Sequence, residues 1–457
     1  MTQTQRSPNI LFIAVDDLNG WVGALGRHPQ ARTPNIDKLA SRGTLFSRAY
    51  CSAPYCNASR MSVFTGLQPA TSGIYQNESY WEMSERPRTY FEALREHGYR
   101  LHGAGKVFHG TFDYATAGRE RASTANWRTI HSHDQLWDQF THNKSEPMPA
   151  QRPLNGMFDF DRFEEVSPWN HLFDWGILPN DRAEDTPDAQ TVRCAEDFLA
   201  NPPDAPFLFA AGLYKPHLPW YAPKRFFDMF PLDSIVLPDV LETDLDDVPD
   251  IARDWALNPP DHETVTQAGQ WKHAVRGYLA TIAYCDEQVG RLMTALDASP
   301  AADNTIVVFW SDNGFHLGEK LHWRKFVLWE EATRVPFIIA PPRSVAAPSQ
   351  TLDFPASLID LFPTLFDMAE LAPMPGKDGQ SLLPQMQGAP SPDRPVITTW
   401  LQGNHSVRFG SWRYTRYHDG SEELYDQESD PMERVNLANR VEYSGPVEMG
   451  RSFIPKD

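Results

Sequence analysis

The chain has no run of about 18 apolar residues, so nothing in it reads as a membrane-spanning helix. Its first residues, Met-Thr-Gln-Thr-Gln-Arg-Ser-Pro, contain no apolar core of the signal-peptide kind, which sets the expectation of a cytoplasmic protein without membrane contact. Cysteine is scarce, with 4 in 457 residues at positions 51, 56, 194 and 285. That is too few and too scattered for a disulfide framework or a zinc cluster. Positive charge is in deficit, with 41 Lys+Arg against 60 Asp+Glu and a formal net charge of -19. A general electrostatic grip on nucleic acid or on an anionic membrane is thereby excluded. An anionic substrate would need positive charge concentrated locally. No internal repeat is visible.

What is present is enough for a core, since 41% of residues are hydrophobic and 12% aromatic. The length fits two to four domains, or one large α/β domain with an appendage, at about 100–200 residues per domain. Asn9–Val15, Pro206–Gly212, Thr305–Trp310 and Val335–Ala340 are nearly continuous apolar runs and read as buried strands. Between them, Thr33-Pro34 opens a helix that Gly43 closes, Tyr90–His97 looks helical, and Lys272–Leu296 carries a long apolar stripe. Strands alternating with helices predict an α/β fold with a large, mostly parallel central sheet flanked by helices.

Residues 111–188 are polar, Trp- and Pro-rich and weakly periodic, and read as an insertion. Its tryptophans Trp127, Trp137, Trp169 and Trp175, with Trp220-Tyr221, could line a cleft, although packing is the ordinary role of such residues. The acidic stretch Glu242–Asp250 reads as a solvated loop. Pro373–Pro395 looks like a linker, and the short β-prone segments after it predict a small antiparallel subdomain. The expected division is a catalytic domain over 1–388 and a C-terminal subdomain over 389–457.

Two strand ends carry hard oxygen donors. Asp16-Asp17 follows the first run, and Asp312-Asn313-Gly314 follows Thr305–Trp310. Sites in α/β sheets lie beyond the carboxyl ends of strands. Three carboxylates and an amide there suit Ca²⁺ or Mg²⁺ rather than zinc. Either pair alone would be an ordinary turn or cap. Cys56-Asn57-Ala58-Ser59-Arg60 stands at a helix entrance, where a thiol can have a lowered pKa and act as a nucleophile. Cys51 has no such surroundings.

Cys56-Asn57-Ala58-Ser59-Arg60 resembles the Cys-X-Pro/Ala-X-Arg motif of the type I, formylglycine-dependent sulfatases of the alkaline phosphatase superfamily. Further blocks of that family occur in order: Asp16-Asp17, Gly105-Lys106-Val107-Phe108-His109, Lys215-Pro216-His217, Ser311-Asp312-Asn313-Gly314 and then Lys325. Ser79-Tyr80-Trp81 and the Lys106 and Lys215 blocks look most like the iduronate-2-sulfatase branch. Ala58 stands where most members have Pro, Leu67 where many have Arg, and Asn313 where that branch has His.

The resemblance implies that Cys56 is converted to Cα-formylglycine before folding by a formylglycine-generating enzyme. It implies a metal site of Asp16, Asp17, Cys56, Asp312 and Asn313, holding Ca²⁺ by preference over Mg²⁺ or Mn²⁺. In the aldehyde hydrate one hydroxyl would attack sulfur, and the other would expel sulfate by C–O cleavage. Arg60 would hold the hydrate, Lys106 and Lys325 the sulfate oxygens, His109 would accept a proton, and His217 would protonate the leaving oxygen. Lys215 would touch substrate or sulfate. The implied substrate is a sulfate monoester of a small sugar or oligosaccharide, uronate or hexose, in a bacterial cell. The alternatives are a phosphonate monoester or phosphodiester hydrolase of the same superfamily and a non-catalytic sulfoglycan-binding protein.

Overall fold

Alternation in the first strand decides the layering. In β1 (Asn9–Val15), Ile10, Phe12 and Ala14 join one apolar cluster while Leu11, Ile13 and Val15 join another, and all six are fully buried. A strand covered on both faces belongs in the middle of a sheet sandwiched by helices. The computed structural model places it there, and describes residues 7–109, 136–143, 149, 153–157, 172–345, 348–392 and 394–455.

Among the described residues the central sheet has nine strands. After β1 come β2 (Thr44–Tyr50), β3 (Arg100–Gly105), β4 (Gln139–Thr141), β5 (Phe207–Leu213), β6 (Thr305–Ser311), β7 (Arg334–Val335), β8 (Phe337–Ala340) and β9 (Gln350–Ser357). Their order is β7-β2-β8-β6-β1-β5-β3-β4, with β9 paired to β2. The run β6-β1-β5-β3-β4 is wholly parallel. β8 lies antiparallel between β6 and β2.

On one face lie helices Pro187–Ala200 and Trp271–Asp297, the latter burying Val275, Leu279, Ile282, Val289, Leu292 and Leu296. On the other face lie Cys56–Thr65, Tyr90–Glu96 and Leu361–Met368. There the ring of Phe12 meets those of Phe64, Phe91, Trp310 and Phe362. A separate antiparallel meander, β10 (Val396–Thr399), β11 (His405–Phe409), β12 (Trp412–Arg416) and β13 (Glu422–Asp426), forms the expected small C-terminal sheet.

Several expectations need correction. Part of the 111–188 stretch, with Trp127 and Trp169, lies outside the described residues. The described part is not mere decoration, because β4 extends the central sheet beside β3. Trp137, Trp175, Trp220 and Tyr221 are all buried, with Trp175 stacked on Trp220, so packing, the ordinary role of such residues, is the one they have, and the cleft reading falls. The acidic stretch is solvated only in part. Asp244, Leu245 and Val248 are buried, and Asp244 pairs with the buried Lys320 at 2.9 Å. A buried cation needs such a partner, and spacing alone could not reveal it.

One close approach sets the shape of the sheet's carboxyl edge. Gly105 ends β3 with φ +76, and its neighbour Gly212 in β5 accepts the Lys106 N–H at 3.0 Å. A Cβ on Gly212 would stand 2.1 Å from the Lys106 carbonyl carbon, and one on Gly105 would stand 2.1 Å from the Gly212 oxygen. At Gly212 all the contacts are backbone atoms of Lys106, so nothing flexible can move aside. We expect Gly212→Ala to lower the unfolding free energy by about 1–3 kcal/mol, as overpacking does, read as a lower urea midpoint. A wild-type midpoint would show that this edge can relax.

Candidate active site

Four parallel strands deliver the site. Val15 is level with Ser311 and with Leu213, and Gly105 with Gly212, so β6, β1, β5 and β3 end on one line. Asp16-Asp17, Lys106, Lys215 and Asp312-Asn313 all follow these ends. The ends are laced together. The Asp312 N–H donates to the Val15 carbonyl at 3.1 Å, the Asp17 N–H to Asp312 Oδ1 at 3.1 Å and the Leu18 N–H to Ser311 Oγ at 2.9 Å. Asp17 sits at φ 60, in the left-handed region that Asp tolerates better than most residues. Tyr278, on the long helix, donates its hydroxyl to the Asp17 carbonyl at 2.7 Å and so supports that turn.

Cys56 is the first residue of its ten-residue helix, every residue of which is buried. Its Sγ lies 3.3 Å from Asp16 Oδ1 and 3.9 Å from Asp17 Oδ1. Arg60 follows at i+4, one turn along the same face. Its Nε donates to Asp312 Oδ2 at 2.7 Å, and its Nη1 donates to the Lys106 and Val107 carbonyls. Nη2 is 3.8 Å from Asp16 Oδ1. One guanidinium thus ties three strand ends to the helix.

Two ammonium groups complete the cluster. Lys106 donates to Asp16 Oδ2. Lys325 donates to Asp17 Oδ1 and lies 2.6 Å from Cys56 Sγ. His217 Nε2 is 3.7 Å from Asp17 Oδ2, and its Nδ1 faces the Leu218 carbonyl. His109 keeps Nδ1 buried with no hydrogen-bond partner among the described residues. Lys215 is buried too, but its ammonium donates to the Pro219 carbonyl at 2.6 Å and its backbone N–H to Asp188 at 3.0 Å. The structure therefore brings Asp16, Asp17, Cys56, Arg60, Lys106, His217, Asp312, Asn313 and Lys325 together, and sets Lys215 in the loop that carries His217.

The electrostatics are those of a closed site. Burial pushes the Asp16 carboxyl up, yet Lys106, His217, Arg60 and Lys325 together hold it well below its ordinary value. Burial opposes the charge on Lys325, and Asp17 and Cys56 overcome it and raise that ammonium. Burial raises Asp312 to about 6 against the pull of Arg60. Burial also holds His109 well below the usual histidine range, helped by Lys106, and lowers His217 against Asp16 and Asp17. The Cys56 thiol is raised, by burial first and then by Asp16, which reverses the sequence-based expectation of a lowered value. The helix N-terminus is outweighed by desolvation and by two neighbouring carboxylates.

The donor set fits a hard cation. One atom from each of Asp16, Asp17, Cys56 and Asp312 lies within 4.8 Å of every other. Asn313 donates its amide nitrogen to Asp17 Oδ1 at 2.7 Å and leaves its Oδ1 buried without a partner. Turning that amide over would aim the oxygen at the same point. The three carboxylates and that amide oxygen are hard donors that suit Ca²⁺ or Mg²⁺, whereas the encoded Cys56 sulfur does not.

Sequence reasoning missed four side chains. Ser59 donates Oγ to the Asp312 carbonyl at 2.5 Å, and its place inside the cysteine motif was the available signal. Tyr278 had none, being 261 residues from the Asp17 it supports. Tyr55 and Phe326 flank Cys56 and Lys325, and only that adjacency could have marked them.

The sulfatase family profile matches residues 8–371. A sulfatase of Formosa agariphila is 34% identical over 98% of this chain and 86% of its own length. The mouse iduronate 2-sulfatase is 28% identical over 96% of this chain and 92% of its own. Among solved structures, the phosphonate monoester hydrolase of Agrobacterium radiobacter superposes with a TM-score of 0.75 at 22% identity, covering 97% of this chain and 94% of that one. At that identity the likeness is one of fold.

Removing Arg60 leaves Asp312 buried without its strongest partner. Breaking a buried pair from one side costs about 3–5 kcal/mol. We expect Arg60→Ala to lose that much in urea unfolding, and Arg60→Lys to recover part of it. A loss below about 1 kcal/mol in Arg60→Ala would show that the guanidinium is not what holds the strand ends.

Proposed function

The chain belongs to the sulfatase family, and on that premise we propose that it hydrolyses sulfate monoesters of a small sugar through Cα-formylglycine made from Cys56 beside a divalent cation. The observation that carries this reading is the meeting of Cys56 with Asp16, Asp17, Asp312, Lys106 and Lys325 in one buried cluster at four strand ends. Cys56 is 4% exposed, so conversion by a formylglycine-generating enzyme would precede folding. Asp16, Asp17, Asp312 and Asn313 would hold the cation with the converted residue 56. Ca²⁺ is preferred, because flexible all-oxygen coordination suits it, and Mg²⁺ or Mn²⁺ are the alternatives. The cation would supply Lewis-acid polarisation of the nucleophile and of the sulfate. The aldehyde hydrate would supply one hydroxyl for attack and another for release of sulfate by C–O cleavage.

The remaining work falls to this chain's side chains. Lys325, beside Cys56, and Lys106 are placed to neutralise sulfate oxygens in a dry site, where such contacts are strongest. Arg60 anchors Asp312 and, through the cluster, the orientation of residue 56. His109 offers an unpartnered ring nitrogen to take the nucleophile's proton. His217 turns Nδ1–H to the Leu218 carbonyl, which leaves Nε2 to deliver a proton to the leaving oxygen; burial lowers this ring's pKa, and Asp16 and Asp17 oppose that shift without reversing it. Lys215 shapes the His217 loop through Pro219. The name of the mouse relative and the branch motifs support a uronate or hexose sulfate as substrate.

The test joins peptide mass spectrometry across Cys56 in natively produced protein to turnover of 4-nitrophenyl sulfate. We expect formylglycine at 56, activity abolished in Cys56→Ala, and a rate on aryl sulfate well above that on an aryl phosphodiester. A rate ratio strongly favouring the diester would replace this reading with that of a phosphonate monoester or phosphodiester hydrolase. A second expectation concerns the cation. Adding Ca²⁺ to chelated protein at about 100 times its Kd should stabilise the fold by about 2.7 kcal/mol, and Asp312→Ala should remove that gain. An unchanged melting temperature on adding Ca²⁺, Mg²⁺ or Mn²⁺ would rule out the metal site.

A further inference from the structure

A wall of three aromatic rings stands beside the charged cluster, built from segments far apart in the chain. Tyr55 directly precedes Cys56, and Phe326 directly follows Lys325. Trp400 follows β10 of the C-terminal sheet. Tyr55 stacks on Trp400 with ring centroids 5.4 Å apart and planes 19° apart. Phe326 lies 5.5 Å from each of the other two rings. Its ring centroid is 5.9 Å from Lys325 Nζ, the same nitrogen that lies 2.6 Å from Cys56 Sγ. Tyr55 and Phe326 are half-buried, whereas Cys56 and Lys325 are buried.

The backbone keeps this wall at a conformational price. Phe326 is at φ 77, where a bulky side chain is strained, and Leu401, next to Trp400, is at φ 57. The surroundings hold both in place. His322 Nε2 contacts the Lys325 carbonyl at 2.9 Å, and Arg324 is paired with Asp261 at 2.6 Å. The Thr399 N–H donates to the Ser52 carbonyl at 2.8 Å and Thr398 Oγ1 to the Cys51 carbonyl at 2.6 Å, which fastens the Trp400 segment to the one leading into Cys56.

We propose that Tyr55 and Phe326, backed by the buried Trp400, form the leaving-group subsite, where the apolar C–H face of a pyranose packs while its sulfate lies among Lys106, Lys325 and residue 56. This rests on the sulfatase reading above and adds the part of the substrate that reading leaves open. The sulfate is taken by the buried cations. The ring attached to it must emerge where the cluster meets solvent, and the half-buried Tyr55 and Phe326 adjoin the nucleophile and the sulfate-side lysine, with the buried Trp400 behind them. Aromatic faces favour ring C–H surfaces and carry no charge to compete for the sulfate.

The experiment compares substrate and product on the same variants. Wild-type turnover of 4-nitrophenyl sulfate first establishes the sulfatase reading; without it, that reading fails and the subsite question does not arise. With it, Phe326→Leu and Tyr55→Leu should raise KM for 4-nitrophenyl sulfate and for a hexose sulfate about 3- to 10-fold, with little change in kcat. Inhibition by inorganic sulfate, which occupies only the charged pocket, should keep its wild-type Ki. Tyr55→Phe, which preserves the ring, should restore KM. Thermal melting of each variant separates loss of fold from loss of the subsite. An unchanged KM in both Leu variants would overturn the proposal. So would a parallel rise in KM and in the sulfate Ki, because the rings would then only be supporting the charged pocket.

Discussion

Three carboxylates and three cations share a volume from which solvent is almost excluded, and most of the catalytic fold can be understood as a device for keeping them there. Asp16, Asp17 and Asp312 face Arg60, Lys106 and Lys325, all 5% exposed or less. Their formal charges cancel. Each would be expensive to bury alone, and each is tolerated because its partners are fixed. Fixing them requires level strand ends, a helix that begins at Cys56 rather than a residue earlier, and glycines at 105 and 212 so that two strands can pass closely before Lys106 turns in. A divalent cation and a sulfate monoester together would add a single net positive charge, a small change for a site this dense in counter-charges.

The C-terminal sheet belongs to that arrangement. The segment after Phe326 is held from the C-terminal side. Arg413 of β12 sits between Glu330 and Glu433 and donates to the Leu328 carbonyl at 3.1 Å, and Trp329 donates to Glu423 of β13 at 2.8 Å. Tyr50 at the end of β2 donates to the same Glu330 at 3.2 Å. Lys320 pairs with Asp244 and also donates to the Glu433 carbonyl. Buried ion networks contribute little net stability over apolar packing, but they penalise every alternative placement of the chain. Here they fix the irregular loop that carries Lys325, where Lys320, Leu321, Arg324 and Phe326 all have positive φ. Regular secondary structure cannot supply such a path, so side-chain charges supply it.

Much of this was legible because it is local in sequence. Each buried strand is a continuous apolar run, and its chemistry stands within a residue or two of its end, as at Asp16-Asp17 and Asp312-Asn313. Parallel strands then bring such ends together without further information. The Cys56–Arg60 spacing carries its own geometry, one helical turn. What was not legible depends on pairs that no period predicts. Asp244 is recognisable as a buried partner only once Lys320 is known to be buried. The tryptophans of the long polar stretch had packing as their ordinary role, and the described ones, Trp137 and Trp175, do fill the core. The rings proposed to receive the leaving group, Tyr55 and Phe326 with the buried Trp400 behind them, come from three remote segments, and only the adjacency of two of them to Cys56 and Lys325 was there to read. The Cys56 thiol reversed its expected shift because desolvation and carboxylates are tertiary facts, whereas the helix terminus is a local one.

The burial of residue 56 also orders events in the life of the molecule. In the folded chain Cys56 lies beneath its own helix start, against Asp16, Asp17 and Lys325, and its burial together with Asp16 raises the thiol well above its ordinary value. A sulfur nucleophile needs the opposite surroundings, exposed and electropositive enough to favour thiolate. The same pocket is well suited to a neutral hydroxyl held among carboxylates and a cation. The folded environment thus disfavours the residue that is encoded and favours the one proposed to replace it. The proposed conversion would therefore act while the Cys56–Arg60 segment is still accessible, before β1, β3 and β6 close around it.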